Sequence, residues 1–229
     1  IRIPGWKRAI DLLFCLVTLP ILALATLLVT IVMKFVSPGT VFFRQERIGY
    51  LGSRFRCYKF RTMHLNSDTG SHRSYCQNLI DTNAPMVKLD AGDKRVIPGG
   101  WLIRACGLDE LPQIINVLRG EMSLVGPRPC VAYEYEKYAP WQKERFNTLP
   151  GLTGLWQVSG KNRTTFDEMM RLDIHYARHK SLWMDLRIIF MTVPALLVQV
   201  FDTRRARKSA HPFPARAANG TRLHIESSR

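Results

Sequence analysis

The sequence predicts an α+β chain that is mainly helical. It has an N-terminal re-entrant membrane helix, a small β-hairpin, and amphipathic interfacial helices around a folded core. Three observations predict this. Leu12 to Met33 is a run of 22 residues without a charge, bounded by Asp11 and Lys34. Thr40 to Arg47 and Phe55 to Thr62 are short stretches rich in Val, Phe and Tyr, joined through Gly49 and Gly52 as in a hairpin. From Leu108 onward the apolar residues recur at helical spacing. At 229 residues the chain can bury a sizeable core. Three parts follow: a membrane helix over 1–36, a core domain over 37–201 and a basic tail over 202–229.

At about 1.5 Å per residue the uncharged run makes roughly 33 Å of helix, enough for a hydrocarbon core of about 30 Å. It is too long for a signal peptide, and no small-residue cleavage site follows it. Arg2, Lys7 and Arg8 precede the run, and Lys34, Arg44 and Arg47 follow it. A spanning helix leaves its basic flank on one side. Two basic flanks fit a segment that enters and returns on one face, with Pro20 giving the bend. Because the chain begins with Ile1, native residues are expected upstream.

The net charge of +15 and pI of about 10.1 call for an anionic partner, whether nucleic acid, acidic lipid or a phosphorylated substrate. No basic groove with interleaved aromatics and no helix-turn-helix pattern supports nucleic acid. Much of the charge lies in the tail, which suits anionic lipid at about 1 kcal/mol per basic residue. The five cysteines, Cys15, Cys57, Cys76, Cys106 and Cys130, are odd in number and lack C-x-x-C spacing. That argues against a disulfide framework and a structural zinc site, and for a reducing compartment.

In the second strand Tyr58 and Phe60 alternate with Cys57, Lys59 and Arg61. One face is then apolar, and the other presents Lys59 and Arg61 together, as a solvated face or as a cationic wall for a phosphate. Residues 63–94 are polar and read as a loop with one short helix. Pro98-Gly99-Gly100 is a turn, and Trp101 to Arg104 leads from it toward Asp109. Arg104 is either an ordinary surface residue or an offset to charge beside the acids.

Leu111, Ile114, Ile115 and Leu118 fall at i, i+3, i+4 and i+7, predicting a helix with Pro112 in its first turn and Gly120 as its stop. Asp109 then lies near the cap and Glu110 just inside it, where free N–H groups and the helix dipole stabilise a carboxylate. Taken alone, this pair is a capping device. In Gly126-Pro127-Arg128-Pro129 each proline fixes its own φ, and Pro129 drives Arg128 extended. The string is a polyproline-like connector or a rigid mount for bidentate phosphate recognition. Pro150 to Gln157 is Gly-rich and followed by Lys161-Asn162. Such a loop lets backbone N–H groups approach an anion, although it lacks P-loop spacing. Thr165 and Glu168 form a capping box opening a helix through about His179. Ser181 caps the next helix, with Asp185 near its start. Ile188 to Phe201, 14 residues including Pro194, is too short to span and suits an interface. His175 and His179, spaced i, i+4 without a third ligand, read as solvated.

Several strings occur in order. They are Lys7-Arg8 with Asp11, Tyr58-Lys59-Phe60-Arg61-Thr62-Met63, Leu108-Asp109-Glu110-Leu111-Pro112-Gln113, Asn116 to Ser123, Gly126-Pro127-Arg128-Pro129, and Pro150-Gly151-Leu152-Thr153-Gly154. Together, over about Lys7 to Phe201, the chain resembles the bacterial sugar transferase family, the monotopic phosphoglycosyl transferases. The resemblance implies transfer of sugar-1-phosphate from a UDP-sugar to polyprenyl phosphate, usually undecaprenyl phosphate. UMP leaves, in the first membrane step of a polysaccharide or glycoconjugate such as an exopolysaccharide. It makes Asp109 the nucleophile of a covalent phosphosugar intermediate and gives Glu110 a metal or proton role. Asp185 becomes a magnesium (Mg2+) contact, and Arg128, between Pro127 and Pro129, a phosphate ligand. Lys59, Arg61, Arg104, Gln157, Lys161 and Asn162 complete the expected substrate-binding set. The family places its catalytic domain, here 37–201, on the cytoplasmic face of the bacterial inner membrane. Anionic inner-membrane lipids and downstream glycosyltransferases are then expected partners.

One physical argument agrees. A carboxylate approaching a pyrophosphate meets about 4 kcal/mol of repulsion per charge pair at 4 Å with an effective dielectric near 20. Such a site needs a metal or fixed cations, and Lys59, Arg61, Arg104, Arg128 and Lys161 lie in the same motifs as the acids. Gly107 and Ile97 depart from the family's usual Ser or Thr, Lys161 from its Arg, and Leu19 from its Ser before Pro20. The departures at Gly107 and Lys161 leave one alternative, a non-catalytic membrane adaptor of the same fold.

Overall fold

A computed structural model describes residues 3–65, 70–84, 93, 95–160 and 164–209. The chain is mainly helical. Helix α1 spans Gly5–Val36, and the antiparallel hairpin is β1 (Phe42–Ile48) with β2 (Arg54–Phe60). Helix α2 (Gly70–Thr82) falls in the polar 63–94 stretch. Then come α3 (Gly100–Ala105), a 3-10 segment over Leu108–Gln113, α4 (Ile114–Arg119) and β3 (Ser123–Val125). Helix α5 (Ala132–Lys137), a second 3-10 segment (Pro140–Phe146), β4 (Gly151–Thr153) and α6 (Leu155–Val158) lead to α7 (Phe166–His179) and α8 (Leu182–Ser209).

The parallel pair β3–β4, with Ser123 opposite Gly151 and Val125 opposite Thr153, is not foreseen by the sequence. Its strands have three residues each, too few for alternation to register. Close backbone approach makes the pairing possible. A Cβ on Gly151 would lie 2.1 Å from the Gly126 nitrogen.

Helix α1 runs unbroken through Pro20 for 32 residues. Its buried residues Lys7, Asp11, Cys15, Leu22 and Met33 form one stripe, and most of its other apolar side chains are exposed. At the N-terminal end Lys7 Nζ donates to Asp185 Oδ2 (2.6 Å), Tyr176 Oη (2.8 Å) and the Val125 carbonyl (2.9 Å). Arg8 donates to the carbonyls of Val117 and Leu118, capping α4. Asp11 Oδ1 accepts from Ser123 Oγ and from the Leu124 N–H, each at 2.9 Å. At the other end Arg61 donates to Ser37 Oγ (2.9 Å) and the Thr40 carbonyl (2.7 Å). Both ends of α1 are therefore tied to one body. Between them Cys15 and Leu22 pack with Phe55, Cys57, Phe60, Ile114 and Val117 of the hairpin and α4.

A second apolar cluster, including Tyr138, Phe146, Trp156, Phe166 and Met170, lies under α7. The capping box of α7 forms, with Thr165 Oγ1 accepting from the Glu168 N–H, and Ser181 Oγ accepts from the Met184 N–H at the start of α8. Helix α8 continues well past the apolar stretch ending at Phe201. Residues 202–209 carry four basic side chains and no Gly or Pro, and cations near a helix C-terminus are favoured by its dipole. Two helices, Gly5–Val36 and Leu182–Arg205, are long and apolar enough to cross a membrane. All five cysteines are free thiols.

Removing one partner of a buried ion pair leaves the other charge uncompensated, at about 3–5 kcal/mol. Lys7→Met is expected to lower stability by that amount in detergent-solubilised denaturation. The double variant Lys7→Met with Asp185→Leu should recover most of it.

Candidate active site

Gly107, at φ 70°, turns the chain from α3 into the 3-10 segment that carries Asp109 and Glu110. A side chain at Gly107 would strain that backbone, which accounts for glycine in place of Ser or Thr. The acids do not cap a helix as their position suggests. Gly107 occupies the cap position and no side-chain cap forms. Pro112, lacking an N–H, withholds the hydrogen bond that would continue an α-turn here, and the segment tightens to 3-10. Asp109 is buried, and the half-exposed Glu110 pairs with Lys59, Nζ to Oε1 2.7 Å.

The Gly126-Pro127-Arg128-Pro129 string is fixed by its carbonyls. Those of Pro127, Arg128, Pro129 and Cys130 accept from the Gly151 N–H (2.9 Å), Arg145 Nη2 (2.9 Å), Arg47 Nη1 (3.1 Å) and the Ile48 N–H (2.8 Å). Arg145 is itself locked in a buried ion pair with Asp173. Burial pushes the Asp173 carboxyl up to about 6, while Arg145 beside it pulls the other way. With its backbone held, Arg128 projects a guanidinium that makes no hydrogen bond or salt bridge to a described residue.

Two cavities meet at the acids. A small polar cleft of about 20 Å³ is lined by Arg47, Lys59, Glu110, Gln113, Arg128 and Gln157, with Cys57 and Pro129 behind them. A large, mainly apolar cavity of about 760 Å³ lies among α1, the 3-10 segment, β4, α6 and α8. Phe14, Asp109, Leu111, Thr192 and Leu196 line it, and it shares Glu110, Leu152 and Gln157 with the cleft. Burial pushes the Cys57 thiol up against the pull of Lys59, Arg47 and Arg128. Cys57 is thus held as a neutral thiol.

Of the residues singled out in the sequence, the structure brings together Asp109, Glu110, Lys59, Arg128, Pro129 and Gln157. Arg61 is elsewhere. Strand β2 ends at Phe60, the alternation stops there, and the buried Arg61 guanidinium serves the Ser37–Thr40 turn. Arg104 contacts the Thr62 hydroxyl at 3.4 Å, and Pro127 is buried with its carbonyl on Gly151. Neither lines the cleft or the large cavity. Asp185 lies with Lys7 and Tyr176, Oδ2 to the former and Oδ1 to the latter, and lines neither cavity. Lys161 and Asn162 lie outside the described residues. The rings of His175 and His179 stand 4.5 Å apart on an exposed face of α7. Among the described residues no three His, Cys, Asp or Glu side chains gather as a metal site. Magnesium is commonly held by one or two carboxylates plus substrate phosphates. Glu110 beside Asp109 fits that pattern. Asp185, with both oxygens engaged, does not fit it in this arrangement.

Sequence reasoning missed Arg47 and Gln113. The hairpin register carries the signal for Arg47. Phe43, Gln45 and Arg47 stand opposite Lys59, Cys57 and Phe55, so they share the face that carries Lys59.

The sequence matches the bacterial sugar transferase family over residues 3–199, and the chain belongs to that family. It is 41% identical over 192 residues to the exopolysaccharide production protein ExoY of Sinorhizobium fredii, covering 83% of this chain and 84% of that one. It is 39% identical over 199 residues to the UDP-glucose:undecaprenyl-phosphate glucose-1-phosphate transferase of Caulobacter vibrioides, covering 83% and 69%. The galactosyl transferase CpsE of Streptococcus agalactiae is 44% identical over 161 residues, which are 70% of this chain and 35% of that longer protein. The chain is an enzyme of this family, a phosphoglycosyl transferase.

The backbone crossing that aims Arg128 has no room for a side chain. Gly151→Ala, placing its Cβ against the Gly126 nitrogen, is expected to cost about 1–3 kcal/mol or more. A lowered thermal midpoint together with lost activity would show it.

Proposed function

We propose that the chain transfers sugar-1-phosphate from a UDP-sugar to undecaprenyl phosphate in two displacements at Asp109. The observation that carries this is the junction at the acids. Asp109 and Glu110 line a long apolar cavity, and Glu110 also lines a cleft walled by three cations. A lipid chain and a diphosphate can therefore both bring their reacting ends to one carboxylate.

In the first displacement an Asp109 carboxylate oxygen bonds to the sugar-bearing phosphorus. The bridging P–O bond breaks and its electron pair leaves on UMP. In the second, a phosphate oxygen of undecaprenyl phosphate attacks the same phosphorus and Asp109 is released. The sugar–phosphate bond stays intact throughout. Arg128 and Lys59 offset the charge gathered around the phosphates, and Glu110, paired with Lys59, keeps that cation beside Asp109. Glu110 with the substrate phosphates would hold magnesium, which supplies further positive charge to the leaving oxygens.

The apolar wall of Phe14, Leu111, Leu152 and Leu196 suits a polyprenyl chain. Helix α1 lies in one leaflet, on the cytoplasmic face of the inner membrane. The support is that both its ends bond to the same folded body, which a bilayer-crossing helix could not do. Exposed Trp183, Phe190 and Phe201 on α8 suit the interface, with Arg204 and Arg205 toward anionic headgroups. The product, a polyprenyl-diphospho-sugar, is the acceptor that downstream glycosyltransferases of exopolysaccharide assembly extend.

Asp109→Asn is expected to reduce UMP release at least about a thousandfold, with and without undecaprenyl phosphate. Incubated with a UDP-sugar labelled in the sugar-bearing phosphate and no acceptor, the wild type should carry label on protein and the variant none. Chelation with EDTA should abolish turnover and added magnesium restore it. Full activity of Asp109→Asn would remove the nucleophile assignment.

A further inference from the structure

Arg47 lines the polar cleft and is 6% exposed. Its Nη1 donates to the Pro129 carbonyl at 3.1 Å and its Nη2 to Gln45 Oε1 at 2.6 Å, so the guanidinium cannot swing freely. The Nε–H is buried and has no hydrogen-bond partner among the described residues. An unpaired buried donor costs about 1–3 kcal/mol, more when charged. Arg47 lines the cleft, and an oxygen seated there would supply the missing partner.

One other buried polar atom of the cleft-lining residues shares this condition. Gln157 Oε1 is buried without a hydrogen-bond partner among the described residues. Gln113, 3% exposed, makes no side-chain hydrogen bond to a described residue. Arg128 lines the cleft with a guanidinium that bonds no described residue, and Lys59 reaches it from beside Glu110. Three cations against one lining carboxylate select an anion. The cleft is small, about 20 Å³, and suits a phosphate oxygen better than a ring.

Asp109 does not line the cleft; it lines the adjoining cavity. The phosphorus it attacks therefore lies on the cavity side of Glu110, and the oxygen entering the cleft belongs to the neighbouring phosphate. We infer that Arg47 binds the departing phosphate of the donor, its Nε–H donating to an oxygen of the nucleotide's own phosphate opposite Arg128. Charge develops on that phosphate as the bridging bond breaks, and a buried, oriented donor stabilises it without reorganisation. This rests on the reading of the site as a UDP-sugar transferase, and it adds a residue and assigns the two phosphates to separate walls.

The test is calorimetric binding of UMP, with uridine as control, to the full chain in detergent with magnesium. Wild type should bind UMP more tightly than uridine. Arg47→Lys, which keeps the charge but loses Nε–H, should weaken UMP binding about tenfold while uridine affinity stays within twofold. A purely structural role would lower the melting temperature and leave UMP affinity unchanged. A folded Arg47→Lys binding UMP within twofold of wild type overturns the inference, as does wild type that binds no UMP. Should the variant not fold, the crystal structure of wild type with UMP decides. A phosphate oxygen within about 3.2 Å of Arg47 Nε supports the assignment, and a phosphate elsewhere overturns it. Arg47-dependent UMP binding without turnover of any UDP-sugar would remove the transferase reading and leave the anion site standing. Turnover with unchanged UMP affinity would do the reverse.

Discussion

The structure depends on a buried charge contact between its first helix and its last. Lys7 on α1 meets Asp185 on α8, with Tyr176 of α7 and the Val125 carbonyl completing the shell. A pair buried this deeply gains little net energy, because desolvation offsets most of the attraction. Its effect is on register. An apolar helix has many nearly equivalent ways to lie on an apolar surface, but only one places a buried ammonium on a buried carboxylate. The same two helices both line the large cavity, through Phe14 on α1 and through Ile189 and Met191 to Leu196 on α8. The contact at their shared end therefore sets the spacing of the walls beside Asp109.

Rigidity of a second kind surrounds the acids. Four successive carbonyls, from Pro127 in the proline string to Cys130 just after it, are bonded, and Arg145 is bonded in turn to Asp173. The cations that face the cleft thus differ in role. Arg128 is a fork that engages no described residue, on a fixed backbone; Lys59 is a charge already paired with Glu110, and Arg47 is held by both of its terminal nitrogens. Such a set presents charge in place before a phosphate arrives, the condition under which electrostatic stabilisation is most effective.

Much of this was legible in the residues. The apolar run, the hairpin, the capping box at Thr165 and the Ser181 start all follow from local patterns, and their causes lie within a few residues. The acids and the proline string were also evident as chemistry. What the sequence concealed depends on distant partners. Arg61 reads as a phosphate ligand until Ser37, 24 residues away, is seen to take its guanidinium. Asp185 reads as a helix-start acid until Lys7 is found against it. Strands β3 and β4 are too short to have a period. Their pairing rests on glycines that look like loop residues until the two backbones are brought together. The 3-10 turn under Asp109 follows from Pro112, whose consequence a count of apolar spacing does not include.

Lys7 and Asp185 are separated by 178 positions in the chain. At a synthesis rate of about 5–20 residues per second, α1 emerges roughly 10–35 s before its carboxylate partner exists. During that interval the Lys7 ammonium must remain in water or among headgroups while the apolar stretch behind it already seeks the bilayer. Delivery to the membrane and closure of the fold are therefore separate events in the life of the chain. Helix α8, made later, completes the setting of α1.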